Sequence, residues 1–386
     1  MLSLQEACSQ AFPSQASGNQ VPLNDIDYQM SDTVSATDLT EIGRQLFAGD
    51  LVRRSYDVHG IGTRLLTDSA AVAAAIDSFL SPFASGNNGT TGAGIEVFLF
   101  TTDELDERMA AVPPGASPLY DWGPLKFFHA GTSRFLELDT RARALADVEH
   151  RRLVGFIRRD ALDSGWLVSH QIFYPLWGQL MKECGLYPFH AAGLTRNNTG
   201  LLLAGRSGSG KSTLTLQLVR RGYGCLGDDT VFLRQTGSRV EALAFPEEIN
   251  VTEETRRLLP ELAKVEKFTV DPLRDKASFE LESLFPASSV SRTEPELLVF
   301  PEISGKDAST LMPVTRTEAL ALCMRFGFFF VDPSTAGRHF EILSVLVRQA
   351  ACHRLEAGLD QQELERTVES LVSTAGGNRS LDEGMA

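Results

Sequence analysis

Leu201-Leu202-Leu203-Ala204-Gly205-Arg206-Ser207-Gly208-Ser209-Gly210-Lys211-Ser212-Thr213-Leu214 passes from an unbroken apolar run, through a glycine-rich turn, into residues with helical spacing. The apolar run is short enough for a buried strand, and Leu214 and Leu218 fall one turn apart as the core face of a helix. Between them Gly205 to Ser212 fits the pattern G-x-x-x-x-G-K-[ST], in the strand-then-helix setting that gives the pattern its meaning. Glycines let a backbone close around an anion, so that successive N–H groups converge on it at a helix N-terminus. Gly205, Arg206, Ser207, Gly208, Ser209, Gly210, Lys211, Ser212 and Thr213 are therefore the candidate phosphate cradle. Lys211 is placed to reach the β- and γ-phosphates of a nucleotide, and Ser212 to offer its hydroxyl to Mg²⁺.

Downstream, the spacing predicts a helix over Lys211–Arg221, a Gly222-Tyr223-Gly224 turn and a short strand through Cys225–Leu226. Asp228-Asp229 follows at the strand end, seventeen residues past Lys211. In an open α/β sheet that end faces the ligand crevice, where a carboxylate can hold a metal or accept a hydroxyl proton. Two adjacent acids repel when both ionise, and a cation relieves the repulsion. Upstream, Pro188–Leu194 reads as a strand carrying His190, and an Asn197-Asn198-Thr199-Gly200 turn returns the chain to the apolar run. A lone histidine is more often structural than catalytic; because its strand leads into the glycine loop, His190 is read as either. Glu247 and Glu248, after the Phe245-Pro246 turn, are candidates for a further metal-facing carboxylate, with a solvated acidic turn the equal alternative.

The rest of the 386-residue chain frames this segment. Residues 1–40, rich in Ser, Gln, Asn and Asp, read as a disordered leader. Residues 41–186 read as a small α+β domain. Its expected strands are Leu51–His59, Ile61–Leu66, Ile95–Phe100, Leu125–Ala130, Phe135–Leu138 and Leu153–Ile157, with a helix over Ser69–Leu80. A long buried helix over Ser164–Cys184, kinked at Pro175 and ended by Gly185, closes it. Residues 187–375 form the second domain, with later strands at Val231–Leu233, Leu297–Phe300 and Ala351–Leu355. Helices are expected near Thr317–Phe326, Phe340–Arg348 and Gln361–Val372, and residues 376–386 read as a loose tail. The net charge of -14 argues against nucleic acid or an anionic membrane as a partner. Cys8, Cys184, Cys225, Cys323 and Cys352 lack metal or redox spacing and read as reduced thiols. No apolar run approaches a membrane span, so the expected location is cytoplasmic.

His190, the loop Gly205–Thr213 and Asp228-Asp229 followed by Val231 together resemble the ATP-binding core of the HPr kinase/phosphorylase family. The resemblance covers roughly Tyr187–Arg234 well, extends loosely to Cys352-His353-Arg354-Leu355, and is weak before about residue 150. It implies an α/β fold with a P-loop kinase domain of the HPr kinase / phosphoenolpyruvate carboxykinase type, and ATP with Mg²⁺ as cofactors. It further implies Asp229 as general base, Ser212 and Asp228 on the metal, His190 near the transferred phosphoryl group, and Glu247 or Glu248 completing the metal shell. The implied partners are ATP and a hydroxyl-bearing acceptor, with a homo-oligomer among the family's assemblies. One departure bears on the acceptor: where the family has Glu-x-Arg-Gly-x-Gly, this chain has Pro246-Glu247-Glu248-Ile249-Asn250. Family relatives without that stretch phosphorylate serine hydroxyls in proteins, peptides or small molecules. Two other readings stay open: a nucleotide-hydrolysing switch, and a nucleotide-binding regulatory module. Neither Leu-Ser-Gly-Gly-Gln nor Asn-Lys-x-Asp occurs, which weighs against the transporter ATPase and guanine-switch forms. Arg206, Arg338 and Arg354 are candidates for an arginine that stabilises transition-state charge.

Overall fold

A computed structural model describes residues 36, 39–41, 50–85, 94–266, 268–270, 277–326 and 332–383. One compact unit ends at Cys184 and a second begins at Gly185.

The first unit is built on strands β1 (Val52–Val58), β2 (Ile61–Thr67), β3 (Ile95–Thr102), β4 (Ser117–Trp122), β5 (Leu125–Ala130), β6 (Ser133–Leu138), β7 (Ala142–Asp147) and β8 (Arg152–Arg158). They form one sheet in the order β1-β2-β3-β8-β7-β6-β5-β4. β2–β3 and β3–β8 pair in parallel, and the remaining pairs are antiparallel. Helix α1 (Ala70–Leu80) provides the crossover from β2 to β3 that a parallel pair requires. Ser69 caps it by accepting from the Val72 N–H, and Val72, Ile76, Phe79 and Leu80 form its buried stripe. β4 and β7 lie outside the strands expected from sequence. β7 reads Ala-Arg-Ala-Leu-Ala-Asp, a helix-favouring composition, yet it is paired on both edges, by β6 and β8. Pairing and burial outweigh local propensity there.

The expected kinked helix at Ser164–Cys184 is instead a π-helical segment (Leu167–Phe173) followed by α2 (Tyr174–Glu183). The Tyr174 N–H reaches back to the Ser169 carbonyl, and Pro175 falls in the first turn of α2, where a missing N–H is tolerated. Trp177, fully buried, donates its indole N–H to Thr63 Oγ1 at 3.0 Å. The leader expected at residues 1–40 lies outside the described residues except for Ala36, Leu39 and Thr40, which are helical and buried. Ala36 and Leu39 pack against Phe98, Phe100 and Phe156, so apolar side chains before residue 41 contribute to the core of this unit.

The second unit contains strands β9 (Tyr187–Phe189), β10 (Ala191–Arg196), β11 (Thr199–Ala204), β12 (Gly224–Gly227), β13 (Val231–Thr236), β14 (Arg239–Ala244), β15 (Ile249–Val251), β16 (Thr269–Val270), β17 (Ala277–Phe279), β18 (Arg292–Thr293), β19 (Pro295–Ile303), β20 (Thr310–Pro313) and β21 (Ala351–Ala357). Its α-helices of six residues or more, among the described residues, are α3 (Lys211–Arg220), α4 (Glu253–Leu258), α5 (Arg316–Phe326), α6 (Pro333–Gln349) and α7 (Gln361–Glu383). The main sheet has the order β12-β10-β11-β19-β21-β20, with β11, β19 and β21 mutually parallel. A second sheet runs β18-β14-β13-β9, and a small third one β15-β17-β16.

Both faces of the main sheet are covered, which is why its central strands read as continuous apolar runs. Leu201, Leu203, Leu297, Val299 and Leu355 pack against Leu214 and Leu218 of α3 and Leu364, Val368 and Val372 of α7. The alternate residues Leu202, Leu298 and Phe300 pack against Ile342, Leu343 and Leu346 of α6 and against Val231 and Leu233 of the second sheet.

Two sequence expectations change here. The single strand Pro188–Leu194 is two strands: β9 pairs with β13 in the second sheet, β10 pairs with β11 and β12 in the main one, and His190 stands between them. A buried apolar run carries no periodicity that separates one strand from two meeting end to end. The tail expected from residue 376 is helical to Glu383, since a helix already anchored by Leu364, Val368 and Val372 extends at little cost per residue. Among the described residues no helix is long and apolar enough to cross a membrane.

Candidate active site

The β10–β11 hairpin aims the chain at the loop. Arg196 pairs with Thr199 across Asn197 and Asn198, whose φ values of 50° and 64° are the doubly left-handed geometry of a tight hairpin turn. β11 then ends at Ala204 and the loop begins. A Cβ on Gly205 would sit 2.7 Å from Ser209 Oγ, so the loop folds closely on itself there and a side chain would have to displace the serine hydroxyl. Gly208 (φ 78°) and Gly210 (φ 93°) are left-handed, and Gly210 caps α3 without a side-chain hydrogen bond. The first N–H groups of α3 therefore look to an external acceptor, the condition for anion binding at a helix start.

Lys211, although charged, is buried. Its Nζ donates to the Gly205 carbonyl at 2.6 Å, to the Arg206 carbonyl at 3.2 Å, and lies 3.2 Å from His190 Nε2. His190 Nδ1 lies 2.8 Å from the Asp229 carbonyl oxygen and 3.4 Å from Asp229 Oδ1. An ammonium can only donate, so Nε2 must offer its lone pair and Nδ1 must carry the proton that the Asp229 oxygen accepts. The histidine thus links the loop lysine to the acid that follows β12.

The two adjacent acids differ in environment. Asp228 is 5% exposed, whereas the Asp229 side chain is 29% exposed. Burial pushes the Asp228 carboxyl up to about 6; the Ser212 hydroxyl, the Lys211 charge and the Thr215 hydroxyl oppose that rise, and the Asp229 charge adds to it. Asp228 Oδ1 is nevertheless buried without a hydrogen-bond partner among the described residues. Thr215 was not among the residues singled out from sequence; its place one helical turn beyond Lys211 and Ser212 is the signal that reveals it.

The remaining candidates are placed differently. Thr213 turns its hydroxyl to Thr255 Oγ1 of α4 at 2.9 Å. Glu248 accepts hydroxyl hydrogen bonds from Thr269 and Ser278 in the third sheet, and Glu247 lies half-buried in the coil after β14. Arg354 pairs with Glu318 of α5 at 2.7 Å, and Arg206 is exposed beside the loop. Among the described residues no three or more His, Cys, Asp or Glu side chains gather into a metal-binding group.

No protein-family model matches the chain. A stretch of 77 residues is 35% identical to HPr kinase/phosphorylase of Chlorobium phaeovibrioides, covering 20% of this chain and 23% of the relative. The enzyme of the same name from Chlorobium luteolum is 39% identical over 77 residues with the same coverage, and that of Chlorobium phaeobacteroides is 43% identical over 70 residues, covering 18% and 22%. Over that stretch the chain is HPr kinase-like. It spans less than a quarter of the length of these curated relatives. Among solved structures, the HPr(Ser) kinase/phosphatase of Coxiella burnetii matches 51% of this chain and 98% of its own at 14% identity, with a TM-score of 0.25.

Proposed function

We propose that this chain is an ATP-dependent phosphotransferase that moves the γ-phosphoryl group of Mg-ATP to a hydroxyl, in the first instance a serine of a protein, peptide or small molecule. The observation that carries the reading is the connected set Lys211–His190–Asp229 at the mouth of a glycine loop, beside a buried acid, Asp228. The loop N–H groups from Gly205 to Thr213 would hold the polyphosphate, and Lys211 would exchange its loop carbonyls for β- and γ-oxygens. Asp229, the more exposed acid, would orient the acceptor hydroxyl and take its proton as the new O–P bond forms and the bond to the β-phosphate oxygen breaks. His190 would hold the Asp229 backbone and the lysine in register.

The unpartnered Asp228 Oδ1 beside Ser212 fits a divalent cation. Ser212 and Asp228 would hold Mg²⁺, with Glu247 a third candidate. When bound, the cation supplies positive charge against the phosphates and the paired acids. Magnesium keeps several waters and uses few protein ligands beside phosphate oxygens, so two protein groups suffice. Cytoplasmic location belongs to the same proposal.

Purified protein incubated with ATP labelled on the γ-phosphate, Mg²⁺ and free serine, serine peptides or small proteins tests it. Label should reach a serine acceptor, with Asp229→Asn and Lys211→Ala each losing at least about 100-fold in rate. Phosphate released only to water would replace the kinase with a hydrolysing switch, and nucleotide binding with neither outcome would replace it with a regulatory module.

A further inference from the structure

The sheet order places everything chemical on one side of the loop strand. His190 precedes β10, and Asp228 and Asp229 follow β12, so the proton-handling groups flank β11 on its β10–β12 side. On its other side β11 pairs with β19, and β19 in turn with β21; both run parallel to β11 and so end at the same edge of the sheet. A nucleoside triphosphate on this loop, with its γ-phosphate toward Asp229, must carry its nucleoside away from β10, across the ends of β19 and β21.

Two large apolar side chains stand exposed at those ends. Ile303, the last residue of β19, and Leu359, two residues past β21, are each 56% exposed. Ile303 continues the alternation Leu297, Val299, Pro301 on the face that α3 covers, but lies beyond the N-terminus of that helix. Its Cγ1 would be 3.6 Å from a Cβ on Gly210, so it lies beside the residue that caps α3. Ile303 pairs in register with Ala357, and the two following loops are laced together. Ser304 N–H donates to the Ala357 carbonyl, and the Leu359 N–H donates to the Lys306 carbonyl at 2.8 Å. Gly358 lets them close, since a Cβ there would be 2.3 Å from the Asp307 carbonyl oxygen. The ledge is therefore held by backbone hydrogen bonds and is not a loose loop tip.

Resting on the proposed phosphate-loop reading, we infer that Ile303 and Leu359 form the platform for the nucleobase of the bound nucleotide. Aliphatic side chains beside a phosphate cradle meet the flat face of a base and remove apolar surface from water at no hydrogen-bonding cost.

The test separates base from phosphate. Binding of Mg-ATP and of inorganic triphosphate with Mg²⁺ is measured by calorimetry on the full chain, for wild type and for Ile303→Ser, Leu359→Ser and the double variant. Met324→Ser, at an apolar side chain of α5 that is 44% exposed, serves as control. The double variant should weaken ATP about tenfold and leave inorganic triphosphate within about twofold, with the control unchanged. Equal weakening of both ligands, or ATP binding unchanged in the double variant, overturns the platform while leaving the phosphate loop intact. Wild type that binds neither ligand overturns the loop reading and the platform with it.

Discussion

Replacing Asp228 with asparagine should make the protein more stable and less able to use its site. The Asp228 carboxyl is 5% exposed and is pushed up to about 6 from 3.8, chiefly by burial. A carboxyl whose folded value is raised favours the fold in its protonated form. Its contribution is complete below about pH 3.8 and is lost as the pH rises through about 6. The shift of about two units corresponds to about 3 kcal/mol of destabilisation of the wild type above pH 7. Asparagine matches the shape without the charge, so Asp228→Asn should gain about 3 kcal/mol at pH 8, and the gain should fall to roughly half of that by pH 5. Urea denaturation at pH 5, 6, 7 and 8, without nucleotide or Mg²⁺, reads the difference directly. Added Mg-ATP should stabilise the wild type and not the variant, because the binding linkage requires the ionised oxygen. A variant no more stable than wild type at pH 8, or a difference flat from pH 5 to 8, would refute the argument that burial of an ionised Asp228 is the strained element of this site.

Three other perturbations probe separate parts of the structure. Gly205→Ala puts a methyl 2.7 Å from Ser209 Oγ and should weaken nucleotide binding by about tenfold with the circular dichroism spectrum unchanged; calorimetry checks it, and wild-type affinity counts against the close packing of the loop. His190→Ala removes the link between Lys211 and Asp229 and should slow phosphoryl transfer by about 100-fold, more than it weakens nucleotide binding; a rate within about threefold of wild type would show that the link is dispensable. Glu365 of α7 is buried and paired with Arg220 and Arg221 at the end of α3, so Glu365→Ala should lower the Tm by about 5 °C; calorimetric scans showing no change would mean that α7 does not brace α3.

How far the sequence could be read depended on whether structure was determined locally. The loop and its flanking strand and helix are local: Gly208 and Gly210 are glycines because their φ angles are positive, and Leu214 and Leu218 face the core because a helix repeats every 3.6 residues. The hairpin turn at Asn197-Asn198 is local for the same reason. β7 was hidden because its alanines and arginine favour a helix until β6 and β8 pair with both its edges. The break at His190 was hidden because the change of partner sheet involves β13, some forty residues away. Asp228 and Asp229 were visible as a pair, but their division into a buried and an exposed acid depends on how α3 and the second sheet close over them. Thr213 was assigned to the cradle by its position in the pattern, while its hydroxyl is taken by Thr255, a partner that sequence spacing does not specify.

The chain crosses between the main and second sheets twice near the loop, once at His190 and again at Asp228–Thr230, and the histidine stitches the crossings together. The groups proposed to handle the proton are thus anchored in a seam between two layers. That seam is tight: a Cβ on Gly193 would come within 2.8 Å of Val231 Cγ1 and 3.0 Å of Leu226 Cβ. A wedge driven in there, far from any phosphate, would pry the layers apart and separate histidine from aspartate while leaving the glycine loop undisturbed. On the proposed reading, grip on a nucleotide and competence to use it would therefore be lost independently.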